Sequence, residues 1–277
     1  MKFETIGTTN PVSERVDLDF LAQSEFAKTG NASMLLRSVV LFLAALLLSG
    51  FPGNGQDSDF AGLSTTQPEV QMKIVDTHNR LRRAVLPSSS NMVKMVWDNA
   101  AQVNAQAWAN ACNYQHSDQE KRKTTVTCGE NLFMSSVPIS WEKVIQNWYD
   151  ERNNFEFGKG PTYSNAVVGH YTQVVWATSS SVACGFSYCS NQAKLKYYYV
   201  CQYCPAGNYV NTKNTPYLPG IPCASCPNYC DNGLCTNGCI HKDDYTNCKI
   251  LKNMVSCQHD LVRQNCKASC NCEDKIH

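Results

Sequence analysis

An α+β layered domain followed by a small disulfide-stapled module is the fold class this sequence predicts, and three observations predict it. Three early segments carry apolar residues at helical spacing, two later ones alternate like strands, and no βαβ rhythm joins them. Sixteen cysteines among 277 residues form an even, dense set, which points to a disulfide framework and to an oxidising compartment. They are unevenly spread, with six in residues 56–208 and ten in residues 209–277. The longer part can bury a core, whereas the shorter one must be stapled.

Residues 1–33 are polar and mixed in charge, and read as an upstream extension outside the mature protein. Met34 to Gly50, "MLLRSVVLFLAALLLSG", places one basic residue before an apolar run. That run has signal-peptide length and falls short of the roughly 20 apolar residues that a membrane span needs. Residues 34–55 are therefore expected to be a signal peptide cleaved near Gly55, leaving a chain that does not span a membrane. An internal signal anchor with a short cytoplasmic tail is the competing reading. Asn31 heads the one N-x-S/T acceptor, and it lies in the upstream extension.

In the 56–208 domain, "EVQMKIVDTHNRLRRAV" puts Val70, Ile74, Leu81 and Val85 on one helical face together with His78. "AAQVNAQAWANACNY" predicts a second helix with Val103, Ala107, Ala111 and Tyr114 inward. "SWEKVIQNWYDERNNF" predicts a third, with Trp141, Val144, Ile145 and Trp148 inward and Glu151 on the same apolar face. "VACGFSY" and "KLKYYYVCQY" alternate like strands, and the tyrosines 197–199 of the second form a partly exposed aromatic cluster or a core strand. Residues 209–238 are rich in proline and cysteine and read as a hinge that tightens into a knot. Residues 239–277 hold six cysteines whose spacing alone leaves the pairing open. Cys223-x2-Cys226 followed by Cys230 and Cys235 has zinc-ribbon looks, but disulfides are favoured in a secreted chain.

Lys plus Arg is 24 and Asp plus Glu is 23, a net charge of +1. That balance offers no basic excess to nucleic acid and no acidic tail. Four polar residues sit in surroundings that need explaining: His116 after the second helix, Glu130 in "CGENLFM", Glu151 on its apolar face, and His170 opening "GHYTQVVW". A buried carboxylate needs a partner, and two imidazoles with two carboxylates also suit zinc. The spacing alone does not bring the four together, since none stands in an HExxH relation, and separate satisfied side chains are the plainer reading.

"GHYTQVVW" (169–176) and "YVCQYCPAGN" (199–208) are similar to the two signature stretches of the CAP superfamily. "HNRLRRAV", "CGENLFMSS" and "WYDE" match further family stretches in the same order. The tail, with "CASCPNYCDNGLC" and "CKASCNC", resembles the hinge and cysteine-rich domain of the cysteine-rich secretory proteins. The resemblance implies a three-layer α-β-α sandwich (56–208), a hinge (209–238) and a helical, toxin-like, ShKT-like cysteine-rich domain (239–277). It implies a His-Glu-Glu-His tetrad at His116, Glu130, Glu151 and His170, able to take zinc weakly and reversibly with the two histidines as main ligands and no other cofactor. His78 reads as packing or hydrogen bonding. The family's disulfide pattern would pair Cys112–Cys189, Cys128–Cys204, Cys184–Cys201, Cys223–Cys230, Cys226–Cys235, Cys239–Cys272, Cys248–Cys266 and Cys257–Cys270.

In function, the resemblance implies a secreted, extracellular, non-enzymatic binding protein, stored in secretory granules before release and acting in reproduction (sperm maturation, sperm–egg interaction) or in secretory-fluid defence. It would engage ion channels or other cell-surface proteins and secreted-fluid proteins, with the tail as effector. Adhesion, or sterol or lipid carriage, is the alternative, and a tail that serves as a stability cap is the plain one. A protease using Ser135 or Ser136 is the least supported, because the sequence has neither a G-x-S-x-G elbow nor an HExxH helix.

Overall fold

The computed structural model describes residues 60–277. The upstream extension, the signal peptide and the Asn31 acceptor lie outside the described residues. Helix α1 spans Pro68–Arg83 and opens on the proline, which is preorganised for a first helical turn. Strand β1 (Val96–Trp97) leads to α2 (Asn99–Ala111), whose first turn is capped by the Asp98 carboxylate accepting from Ala100 and Ala101 N–H. Strand β2 (Gly129–Ser135) precedes α3 (Trp141–Asp150), and Glu151–Asn154 continue it as a 3-10 turn. A short hairpin, β3 (Phe155–Glu156) and β4 (Gly160–Pro161), leads to α4 (Gly169–Val174). The long strands β5 (Ser181–Tyr188) and β6 (Tyr197–Cys204) close the domain.

One sheet of order β1-β5-β6-β2 organises these elements, with β1 parallel to β5 and the other pairs antiparallel. Side chains alternate across a strand, so β6 feeds two cores. Tyr199, Cys201 and Tyr203 face Ile74 of α1 and Trp141 and Trp148 of α3. Tyr198 and Val200 face Ala105 and Ala109 of α2. The result is an α-β-α sandwich. Tyr198 and Tyr199 are both fully buried, so the tyrosine run is a core strand rather than an exposed aromatic cluster.

Helix α2 turns the opposite way from the face its sequence suggests. Ala101, Ala105 and Ala109 are buried, whereas Val103, Ala107 and Ala111 are exposed. The cause is a close approach: a Cβ on Gly185 of β5 would lie 2.4 Å from the Gln106 Cα. Only a row of alanines lets the helix backbone come that near, so size outweighs the hydrophobicity of Val103.

Arg82 is fully buried on α1 and has no carboxylate partner among the described residues. Its guanidinium donates instead to main-chain carbonyls, to Val93 (2.7 and 3.0 Å), Val174 (2.9 Å), Trp176 (2.7 Å), Ala177 (3.0 Å) and Ser179 (3.2 Å). These acceptors include the negative C-terminal end of α4. Removal from water lowers the Arg82 pKa to about 9.

The structure carries eight disulfides: Cys112–Cys189, Cys128–Cys204, Cys184–Cys201, Cys223–Cys230, Cys226–Cys235, Cys239–Cys272, Cys248–Cys266 and Cys257–Cys270. The hinge is not a free linker. Ser90 N–H donates to Leu218, Lys94 N–H to Cys235 and Cys235 N–H to Met92, at 2.8–2.9 Å. Two short strands, β7 (Cys230–Asp231) and β8 (Leu234–Cys235), form its knot. Beyond it come α5 (Cys248–Val255), α6 (Asp260–Asn265) and α7 (Lys267–Asn271). The chain end returns to the hinge, with Cys239 N–H bonded to the Ile276 carbonyl and Ile276 N–H to the Asn237 carbonyl. No helix of the described residues is long and apolar enough to cross a membrane.

Candidate functional site: two histidine–glutamate pairs

Edge strand β2 carries Glu130 and Asn131 in succession, so their side chains leave opposite faces of the sheet. Glu130 sits opposite Gln202 on the α2 face. It is nearly buried, and its carboxylate accepts from His116 Nδ1 (3.0 Å), Ser117 N–H (2.9 Å), Ser117 Oγ (2.8 Å) and Gln202 Nε2 (3.2 Å). Burial alone would raise its pKa, but the bonds from His116, Ser117 and Gln202 outweigh it and hold the carboxyl below its ordinary value.

The second pair forms where α3 ends and α4 begins. Glu151 Oε1 lies 2.6 Å from His170 Nδ1, and Oε2 accepts the main-chain N–H groups of His170 (3.0 Å) and Tyr171 (3.1 Å). A carboxylate there satisfies the orphan donors of the first turn of α4. Trp148, three residues before Glu151, lays its indole parallel to the His170 ring at 6.3 Å. Glu151 therefore shares the apolar helix face with Trp148 because it serves the next helix.

Asn131 ties this pair to the core. Its Nδ2 donates to the His170 carbonyl (3.1 Å) and to the Tyr203 hydroxyl (3.3 Å). His78, fully buried, bonds the Ile74 carbonyl through Nδ1 (2.8 Å) and Tyr203 Oη through Nε2 (3.0 Å). A carbonyl can only accept, so His78 carries its proton on Nδ1 and Nε2 accepts from the tyrosine. Burial lowers the His78 pKa to about 4. His78 is thus a hydrogen-bonded core residue, outside both pairs.

The arrangement has a defined donor chemistry. Each imidazole turns Nδ1 to a carboxylate, which leaves Nε2 without a hydrogen-bond partner among the described residues. An imidazole buttressed in this way is suited to coordinate a metal through its free nitrogen. Both carboxylates spend their oxygens on protein donors, so they stand behind the imidazoles. Among the described residues no group of three or more His, Cys, Asp or Glu is disposed to hold a metal ion.

The serines near these residues are engaged elsewhere. The Ser117 hydroxyl addresses Glu130, and the Ser135 hydroxyl donates to the Val137 carbonyl at 2.6 Å. Among the described residues no serine hydroxyl is hydrogen-bonded to His116 or His170, as an activated nucleophile requires.

Ser117, Asn131, Gln202 and Tyr203 hold the two pairs and were not singled out from the sequence, whereas Trp148 was read there as a core residue of its helix. Ser117 and Asn131 adjoin His116 and Glu130 in the chain, whereas Gln202 and Tyr203 come from β6 across the sheet. The signal that could find them is a polar residue within a stretch otherwise destined for the core.

Fold and site together define a disulfide-stapled α-β-α sandwich with two buttressed histidines and a cysteine-rich C-terminal module. The family model described as "Cysteine-rich secretory protein family" (CAP) matches residues 75–203, and the Crisp model matches residues 223–277. The chain is 58% identical over 245 residues to cysteine-rich secretory protein 3 of Homo sapiens, covering 88% of this chain and 100% of the relative. It is 49% identical, with the same coverage, to the cysteine-rich venom protein helothermine of Heloderma horridum horridum. Among solved structures, NaASP2 with Zn2+ matches at a TM-score of 0.51 and 30% identity, covering 68% of this chain and 100% of that one. The chain belongs to the cysteine-rich secretory protein family.

Proposed function

We propose that this chain is a secreted, non-enzymatic binding protein that modulates ion channels or other cell-surface proteins through residues 239–277, with the sandwich as carrier. One observation carries the reading. Three helices of eight, six and five residues, each too short to persist alone, are clamped together by Cys239–Cys272, Cys248–Cys266 and Cys257–Cys270. A module held this rigidly loses little entropy when it binds. Relatives named as secretory and venom proteins support release from the cell, and the eight disulfides agree with it. Reproductive or glandular fluid is the expected setting. Zinc, named with the related NaASP2 structure, is proposed as a weak, reversible ligand of His116 and His170.

The test is electrical. The purified protein is applied to cells expressing calcium, potassium and cation channels, beside a version ending at Gly238. The tail's six cysteines pair only with one another, so the truncation leaves no thiol unpaired. A current change that needs residues 239–277 supports the reading, and no change with either protein refutes it.

Carriage of a sterol or lipid is the second reading. A groove of about 330 Å³ beside the His170 segment, with Pro161, Ala166, Val167 and Val168 as its apolar lining and Asn208, Lys213 and Asn214 as its polar one, favours it.

A further inference from the structure

We infer that the outward face of α5 docks on a lipid bilayer carrying anionic headgroups. On its inner side the helix is pinned by Cys248, which is buried in a small cluster with Val262 and Cys266, and Leu251 packs against that cluster. Residues three and four apart share a helix face, so the opposite side presents Lys249, Ile250, Asn253 and Met254, all exposed. Ile250 is 60% and Met254 73% exposed. Val255 at the end of the helix and Leu261 on α6 are also exposed.

Lys249 stands on this face, and Lys252, half-buried, lies on the side of Cys248. Between Tyr245 and His259 the chain carries Lys249 and Lys252 and no Asp or Glu. The carboxylates that bound this stretch are Asp244, which is exposed, and Asp260, which is taken by Arg263 one turn further on. Apolar side chains directed at solvent and flanked by lysines are what an interfacial helix needs: the apolar groups enter the acyl boundary and the ammonium groups meet anionic headgroups. The lysine stems can extend to keep their charges at the headgroup level.

The same features argue against a protein groove as the occupant. The outward face of α5 is convex, and it offers flexible Lys and Met side chains with no Trp, Tyr or Arg anchor of the kind that dominates protein interfaces. A fluid headgroup layer asks for no fixed shape. Disulfides rather than these residues hold the module, so Ile250 and Met254 are free to face outward. This inference goes beyond the channel reading, because a protein-free bilayer suffices for it.

The experiment is vesicle co-sedimentation of the purified full-length secreted chain. Vesicles of phosphatidylcholine are compared with vesicles containing about one-third phosphatidylserine. The expected result is binding to the phosphatidylserine vesicles only, weakening as salt rises. Lys249→Glu with Lys252→Glu, and separately Ile250→Ser with Met254→Ser, should each reduce that binding by about tenfold or more. Unchanged circular dichroism and a mass showing eight intact disulfides establish that each variant is folded. Equal sedimentation with both vesicle types, or phosphatidylserine binding that survives both double variants, overturns the inference. Binding to cell membranes but not to vesicles also overturns it, in favour of a protein receptor. Current recordings with the same variants read the channel proposal independently.

Discussion

The Tyr203 hydroxyl donates to His78 Nε2 at 3.0 Å and in turn accepts from Asn131, whose second bond goes to the carbonyl of His170. A buried α1 histidine is thereby joined through two side chains to the backbone of a site histidine 92 positions later in the chain. The bond runs in this direction only while His78 is neutral, because a protonated Nε2 can donate but not accept.

That condition predicts acid sensitivity. The folded His78 pKa of about 4 lies below the ordinary value of 6.5. The unfolded chain therefore binds the extra proton first, and stability is present above pH 6.5 and lost as pH falls through 4. The total loss is about 3 kcal/mol. Much of that window lies above the range in which Glu130 titrates, so the two contributions separate. Urea unfolding at several pH values between 7 and 4.5 should show stability falling in the wild type, and a flatter dependence in His78→Gln. Parallel slopes in the two proteins would contradict the assignment.

Arg82→Met is expected to destabilise the protein by about 3–5 kcal/mol, because it takes a donor from the buried carbonyls of five residues, of which Trp176 and Ala177 keep a main-chain donor. Arg82→Lys should recover only part of that, since an ammonium has three donors and no planar fork. Thermal unfolding measures both. A loss below about 1 kcal/mol for the methionine variant would mean that the carbonyls find other donors.

The proposed zinc site makes its own prediction. Calorimetry should show uptake that is abolished in His116→Ala with His170→Ala and that weakens on acidification, as protons compete for Nε2. Glu151→Gln should weaken it by about tenfold while leaving both imidazoles in place, because the carboxylate fixes the tautomer and orientation of His170. Equal uptake in the double-alanine variant would remove the metal assignment.

Periodicity made α1 and α3 legible in the sequence, because their inward residues are large and apolar: Val70, Ile74 and Leu81, then Trp141, Val144 and Trp148. It misled for α2, where the decisive quantity is the space left by Gly185 across the interface, and no residue of the helix itself records that. The four site residues were conspicuous as polar groups among apolar ones. Their division into two pairs on opposite faces of β2 was hidden, since it depends on strand register, which sets Glu130 against Gln202 and Asn131 against Cys201. The work of Arg82 was equally hidden: carbonyls of the main chain are its partners, and they leave no mark in a sequence.

The tail module should unfold without the sandwich. Its interior is two small clusters, Cys248, Val262 and Cys266 with Leu251 against them, and Cys239, Ala268 and Cys272, both separate from the two cores that flank β6. So small a core cannot offset the ordering of three helices unaided. Replacing Cys248 and Cys266 with serine opens an 18-residue separation and is expected to cost about 2–5 kcal/mol of local stability. Hydrogen exchange should then show amides of α5, α6 and α7 losing protection while those of β5 and β6 keep theirs. Any effect on currents that depends on residues 239–277 should disappear with it, although every side chain on the outward face of α5 is still present. Retained activity in the unprotected variant would show that sequence alone, without the clamped shape, does the recognising.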